Sequence, residues 1–110
     1  MSEAGLAEQQ ARLQRLWEAH RHTPFPGGRD DDPRLQEIAL YESWLGSLVE
    51  AVLANRGQIT PVHRLMLDVR RREGNQAIWA AAGELGEAAR TYVARLLEIE
   101  EVLAELPAPA

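Results

Sequence analysis

Apolar residues recur at helical spacing in four stretches of the chain, and Pro or Gly residues separate the stretches. The spacing predicts helices from about Glu3 to His20, from Pro33 to about Asn55, from Pro61 to about Glu73, and from Gln76 to about Leu106. No stretch is typical of a strand. We therefore expect an all-α fold, a four-helix up-and-down bundle with a long C-terminal helix.

Short local signals mark the ends of the predicted helices. Asp32-Pro33 and Thr60-Pro61 each place a capping residue before a proline that suits the first helical position. Gly74-Asn75 offers a stop for the third helix and a new N-cap for the last one. The sequence leaves open the alternative that the third and fourth helices form one kinked helix.

The last predicted helix carries an apolar stripe at alternating spacings of four and three. The stripe comprises Ile78, Ala82, Leu85, Ala89, Tyr92, Leu96, Ile99 and Leu103. A helix of about 30 residues spans about 45 Å, whereas a compact domain of this length has a radius of gyration of only about 13 Å. The end of the helix should overhang, so that the first helix, the second helix or a second subunit must cover it. From this we expect a homodimer.

Composition excludes several classes of protein. The chain has 110 residues, a net charge of −5, 12 Lys plus Arg that are all Arg, and no Cys. Disulfides, thiolate nucleophiles and Cys-ligated metals are therefore excluded, and the net charge argues against a general nucleic-acid binder. No apolar run in the sequence is long enough to span a membrane, and we expect no signal peptide. We expect a cytoplasmic protein with one domain over residues 1–106 and a short tail over 107–110. The exclusive use of Arg is typical of a GC-rich bacterial genome.

One strip of the last predicted helix combines large and small residues. Two Gly residues inside a helix each cost about 1 kcal/mol relative to Ala, so something should offset them. A neighbouring helix of the same bundle, a second subunit or partner helix, and a small-molecule pocket are the three candidates. With two aromatic residues of the second helix, the expected partner or oligomer interface comprises Trp79, Gly83, Gly86, Arg90, Trp44 and Tyr41.

A basic cluster lies on the third predicted helix. Arg64, Arg70, Arg71 and Arg72 could hold a phosphate or an acidic partner, because guanidinium groups bind such anions bidentately. The alternative is that these cations offset the negative end of their helix and pair with the acidic second and fourth helices. The charge of the chain alternates along its length, which agrees with such internal pairing.

Imidazole and carboxylate groups near the first loop are weak metal candidates. His20, His22 and Asp30 carry suitable ligand atoms, but their spacing matches no known ligand motif. The acids before the second helix are explained more simply as a cap and as partners of the helix dipole. We expect no metal, no cofactor and no catalytic residues.

Taken together, these patterns predict a non-catalytic helical interaction or assembly protein, a homodimer that presents a surface to a protein partner. The excess of apolar helix surface, the glycine strip and the overhanging helix favour this function. The alternative is a regulator that binds a small ligand or a metal, or a small all-α enzyme, with His, Asp and Arg groups around a Trp-lined cleft.

Overall fold

The structure, a computed structural model, describes residues 3–26 and 32–107. The described residues form α1 (Glu3–Arg21), α2 (Pro33–Ala54), α3 (Pro61–Glu73), α4 (Gln76–Leu85) and α5 (Glu87–Glu105). The all-α prediction is confirmed, and the first three helices end within one residue of their predicted limits. Asp30 and most of the predicted tail, residues 108–110, lie outside the described residues. No helix in the described part is long and apolar enough to cross a membrane.

The predicted N-caps are confirmed for α2 and α3. The Asp32 carboxylate accepts the backbone N–H of Arg34 at 2.9 Å and its guanidinium at 2.6 Å. The Arg34 side chain is the main reason that the pKa of Asp32 is lowered to about 2. Thr60 Oγ1 accepts the backbone N–H of His63 at 3.2 Å. Gly74, with φ 83°, ends α3, so α3 and α4 are separate helices and the kinked-helix alternative is wrong.

The prediction of one continuous helix from Gln76 to Leu106 is wrong. The backbone leaves the helical conformation at Gly86, where φ is 113° and ψ is −172°. Glycine is essentially the only residue that adopts this conformation, because it has no Cβ. The described chain therefore has five helices instead of four, and the overhang from which we expected a homodimer is absent, since α5 has 19 residues.

The core forms where the apolar sides of α1, α2, α4 and α5 meet. The predicted stripe of the last helix stays largely buried on both sides of the break, with Ile78 and Ala82 on α4 and Tyr92, Leu96 and Leu103 on α5. Helix α2 contacts α1, α4 and α5. These four helices provide the support on which α3 lies.

The two glycines of the predicted strip should respond oppositely to alanine. Gly86→Ala is expected to lower the free energy of unfolding by about 1–3 kcal/mol, because its φ is strained for any residue with a Cβ. Gly83→Ala should raise it by about 0.5–1 kcal/mol, because Gly83 is helical and an added Cβ meets no described atom within 4 Å. Urea unfolding followed by circular dichroism measures both. Equal changes in the free energy of unfolding for the two variants would contradict the strained backbone at Gly86 and the helical backbone at Gly83.

Candidate interaction site: the groove between α2 and α3

Helix α3 exposes its apolar side. The residues Val62, Leu65, Met66 and Val69, here called the α3 stripe, follow the spacing i, i+3, i+4, i+7 and lie on one side of the helix. They are 66, 60, 42 and 43% exposed, whereas the buried residue of α3 is Leu67. The apolar side of a surface helix normally packs on the core. The α3 stripe instead faces solvent.

Arginines on the other side of α3 explain this orientation. Arg64 Nη1 donates to the carbonyl oxygens of Ala104 and Leu106, each at 3.2 Å, and so satisfies carbonyls at the C-terminal end of α5. Arg71 donates to Glu100 at 3.0 Å and to Glu101 at 2.9 Å. Polar contacts to α5 therefore hold α3 in place and turn its stripe outward.

Glu100 is a buried carboxylate at the base of α3, only 2% exposed. It accepts hydrogen bonds from the Tyr41 hydroxyl at 2.9 Å, from Arg71 at 3.0 Å and from Asn75 Nδ2 at 3.0 Å. A buried charge is tolerated when it is paired and hydrogen-bonded in this way. Burial, together with the charge of Glu100, raises the pKa of Tyr41 far above its usual value. Glu100 thus joins α2, α3 and the turn before α4.

Asn75 does not cap α4 as predicted. It occupies the N-cap position, but its side chain makes no capping hydrogen bond there. The amide instead donates to Glu100 and accepts from Arg70 Nη2 at 3.2 Å. The Oδ1 atom that would cap α4 is the one that accepts from Arg70, and this charge-assisted hydrogen bond is stronger than a bond from a backbone N–H.

A groove of about 630 Å³ lies between α2 and α3. Its apolar walls are Leu40, Tyr41 and Trp44 from α2 and Leu65, Met66 and Val69 from α3. The rings of Tyr41 and Trp44 stack with centroids 6.1 Å apart. The groove and the α3 stripe are continuous, because three of the four stripe residues also line the groove. We call the two together the apolar face.

Charged groups of both signs border the apolar face. Glu37 and Glu73 line the groove, and among the described residues no cation pairs with either. The Arg70 guanidinium lies over the Tyr41 ring, 5.1 Å from its centroid. Arg72 is exposed, and its Nε donates to a backbone carbonyl of α3 at 3.4 Å. An occupant of the groove therefore meets two carboxylates and the Arg70 guanidinium around an apolar floor, whereas Arg72 lies outside the groove.

The four predicted arginines thus have different roles. Arg64 and Arg71 make internal bonds to α5, as the internal-pairing alternative expected. Arg70 is stacked on the aromatic wall of the groove, and Arg72 points away from the α5 contacts. An anion or acidic partner at this cluster stays a prediction, and Arg72 is its most accessible member.

The predicted interface residues separate into two groups. Tyr41 and Trp44 line the groove, whereas the others lie on α4, at the helix break or on α5: Trp79, Gly83, Gly86 and Arg90. Trp79 is 46% exposed. In the described structure no atom would lie within 4 Å of a Cβ at Gly83 or Gly86. Of the three candidates for this strip, close approach by a helix of the same bundle is therefore not seen among the described residues, and the interface itself stays a prediction.

The candidate metal residues do not converge in the described structure. His20 is buried, its Nε2 lies 2.9 Å from Glu42 Oε2, and its ring packs 4.8 Å from that of Tyr92. His22 is exposed, and Asp30 lies outside the described residues. Within the described ranges no three His, Asp or Glu residues form a group suited to a metal ion. His20 does not line the groove, so it does not share that cleft with Trp44 and Arg70. The Asp30 part of the predicted His, Asp, Arg and Trp cleft lies outside the described residues.

These observations define an all-α protein with an open apolar face. Neither protein-family models, nor curated proteins, nor solved structures give a match to the chain. Its function is therefore argued from the geometry of this face.

Proposed function

We propose that the chain is a non-catalytic helical interaction protein that assembles as a homodimer through the apolar face. The outward orientation of the α3 stripe carries this proposal. Apolar patches that no element of the chain covers mark interaction sites. Complete burial of a Val, Leu or Met side chain contributes about 1.5–3 kcal/mol, and a two-fold interface would bury the stripe of both copies.

The polar groups beneath the face support binding over chemistry. Tyr41, Arg71 and Asn75 all direct their donors at Glu100, so these groups satisfy one another below the surface. A general acid or base needs a proton that a substrate can reach. In this proposal the other four helices form an up-and-down bundle, and the hydrogen bonds of Arg64 and Arg71 to α5 attach α3 to it.

The molar mass in solution tests the proposal directly. Light scattering after size exclusion, over a hundredfold range of concentration, should give the mass of two chains for the native sequence. Leu65→Glu should give the mass of one chain, with the dimer dissociation constant raised by about 100-fold or more. The reason is that the two-fold symmetry places one unpaired carboxylate from each copy in the apolar contact.

Gln14→Glu is the matched control, since it also adds one carboxylate at an exposed helical position, on α1 away from the groove. This variant should stay dimeric. Leu65 is 60% exposed, so Leu65→Glu should unfold thermally like the single-chain form of the native sequence. A single-chain mass for the native sequence at every concentration would overturn the proposal. If Leu65→Glu and Gln14→Glu both had the mass of two chains, the interface would lie elsewhere.

A further inference from the structure

The apolar face contains both a ridge and a groove. The α3 stripe forms the ridge, with anchors at i, i+3, i+4 and i+7, which is the spacing with which amphipathic helices enter apolar grooves. The groove is next to it, between α2 and α3. A single copy therefore offers both a helix to be inserted and the place to receive one. Such a surface can be complementary to itself.

The border charges favour a second copy as the occupant. A two-fold interface sets a patch against its own copy, so a patch with a net charge repels itself. Although the whole chain carries −5, Glu37, Glu73 and Arg70 line the groove and the exposed Arg72 borders the stripe, so these four charges sum to zero. At 3.6 residues per turn, Arg70 and Arg72 flank the stripe on opposite sides, and Glu73 continues it. The carboxylates of one copy can therefore meet the guanidiniums of the other.

We infer that α3 of a second copy occupies the groove, antiparallel to the first α3, with the two-fold axis between Leu65 and Met66. This inference rests on the proposed homodimer and assigns its geometry. In this arrangement Val62 faces Val69 of the partner subunit, and Leu65 faces Met66 of the partner subunit. The four stripe residues of each copy are thereby paired in full.

The basic end of α3 requires the antiparallel direction. Arg70, Arg71 and Arg72 are consecutive, so parallel helices would set six guanidiniums side by side. In the antiparallel arrangement, Arg71 and the partner subunit's Arg71 are 11 positions apart, which is about 17 Å along the helix axis. This distance exceeds the Debye length of about 8 Å at physiological ionic strength. Glu73 then lies near the N-terminus of the partner helix, where the helix dipole favours a carboxylate.

Introduced cysteines test the direction and register, because the chain has none of its own. Val62→Cys and Val69→Cys are oxidised separately and as an equal mixture, and the products are separated on a non-reducing gel. The mixture should form a disulfide-linked heterodimer. Neither variant alone should form a disulfide. In a dimer of one variant, the two introduced cysteines are about 10 Å apart along the axis, beyond the Cα separation of about 7 Å that a disulfide allows. Gln14→Cys gives the background from random collisions.

Each outcome decides one question. A disulfide in the mixture but in neither separate sample is the expected result. Linkage of each variant to itself would overturn the antiparallel arrangement in favour of a parallel one. No linkage above the Gln14→Cys background, with a native mass of two chains, would overturn this inference and leave the homodimer standing on another surface. A native mass of one chain at every concentration would instead refute the proposed homodimer itself.

Discussion

Replacement of Glu100 by Ala is expected to lower the free energy of unfolding by about 3–5 kcal/mol, the cost of breaking a buried ion pair. The substitution leaves the Tyr41 hydroxyl and the Asn75 amide without their acceptor and removes the buried partner of Arg71. Domains of this size have a total stability of about 5–15 kcal/mol. The variant should therefore unfold at a much lower urea concentration, which circular dichroism measures.

Glu101→Ala is the matched control for this prediction. Glu101 is the adjacent residue, and it accepts from the same Arg71 at 2.9 Å, but its side chain is 60% exposed. An exposed ion pair contributes less than about 1 kcal/mol. If the two variants lost equal stability, the burial of Glu100 would not be the source of its contribution.

The second large effect is expected at Leu67, the apolar anchor of α3. Leu67 is fully buried, so Leu67→Ala should cost about 2–5 kcal/mol through lost burial and the cavity left behind. Because α3 has no other buried residue, the loss should appear first as faster hydrogen exchange of its own backbone amides. Urea unfolding gives the total loss, and exchange followed by mass spectrometry gives its location.

Leu65→Ala provides the comparison within the same helix. It removes the same atoms from a residue that is 60% exposed, so the stability of the single-chain form should change by less than about 0.5 kcal/mol. A similar loss at both leucines would mean that the stripe packs against the chain, which would contradict the exposed apolar face.

The local signals in the sequence predicted the first three helices well, because a cap or a stop is determined by a few adjacent residues. Asp32 and Thr60 each cap a helix with their own side chain, and Gly74 ends α3 through its own backbone conformation. The break at Gly86 could not be found in this way. The apolar stripe runs from Leu85 to Ala89 in unbroken helical spacing, so the periodicity is the same with and without the break.

The candidate site was harder to predict, because it depends on which sides of the helices the chain covers. Periodicity showed that α3 has an apolar side but could not show that Arg64 and Arg71 would turn it outward. Glu100 did leave a signal that the sequence analysis missed. It lies among apolar residues at helical spacing, with Val93 seven positions before it and Leu103 three after. A carboxylate on the apolar side of a helix needs hydrogen-bonding partners when it is buried.

A different kind of residue escaped the sequence analysis at the contact between α1 and α2. A Cβ at Gly46 would lie 2.7 Å from the Trp17 ring, so the absence of a side chain there admits the indole. Glycine inside an otherwise apolar helix often marks such a close approach, but the sequence does not say which partner approaches. The partner is defined by the tertiary arrangement alone.

The three tryptophans occupy three distinct optical environments. Trp17 is buried against α2, Trp44 stacks on Tyr41 in the wall of the groove, and Trp79 is half exposed to water. The emission wavelength of an indole depends on the polarity around it, so the emission wavelength of each tryptophan reports on a different part of the molecule. Trp17 reports on the integrity of the core, Trp44 on occupation of the groove, and Trp79 serves as an internal reference. In variants that keep a single tryptophan, unfolding and assembly can therefore be followed separately by intrinsic fluorescence, without an added dye.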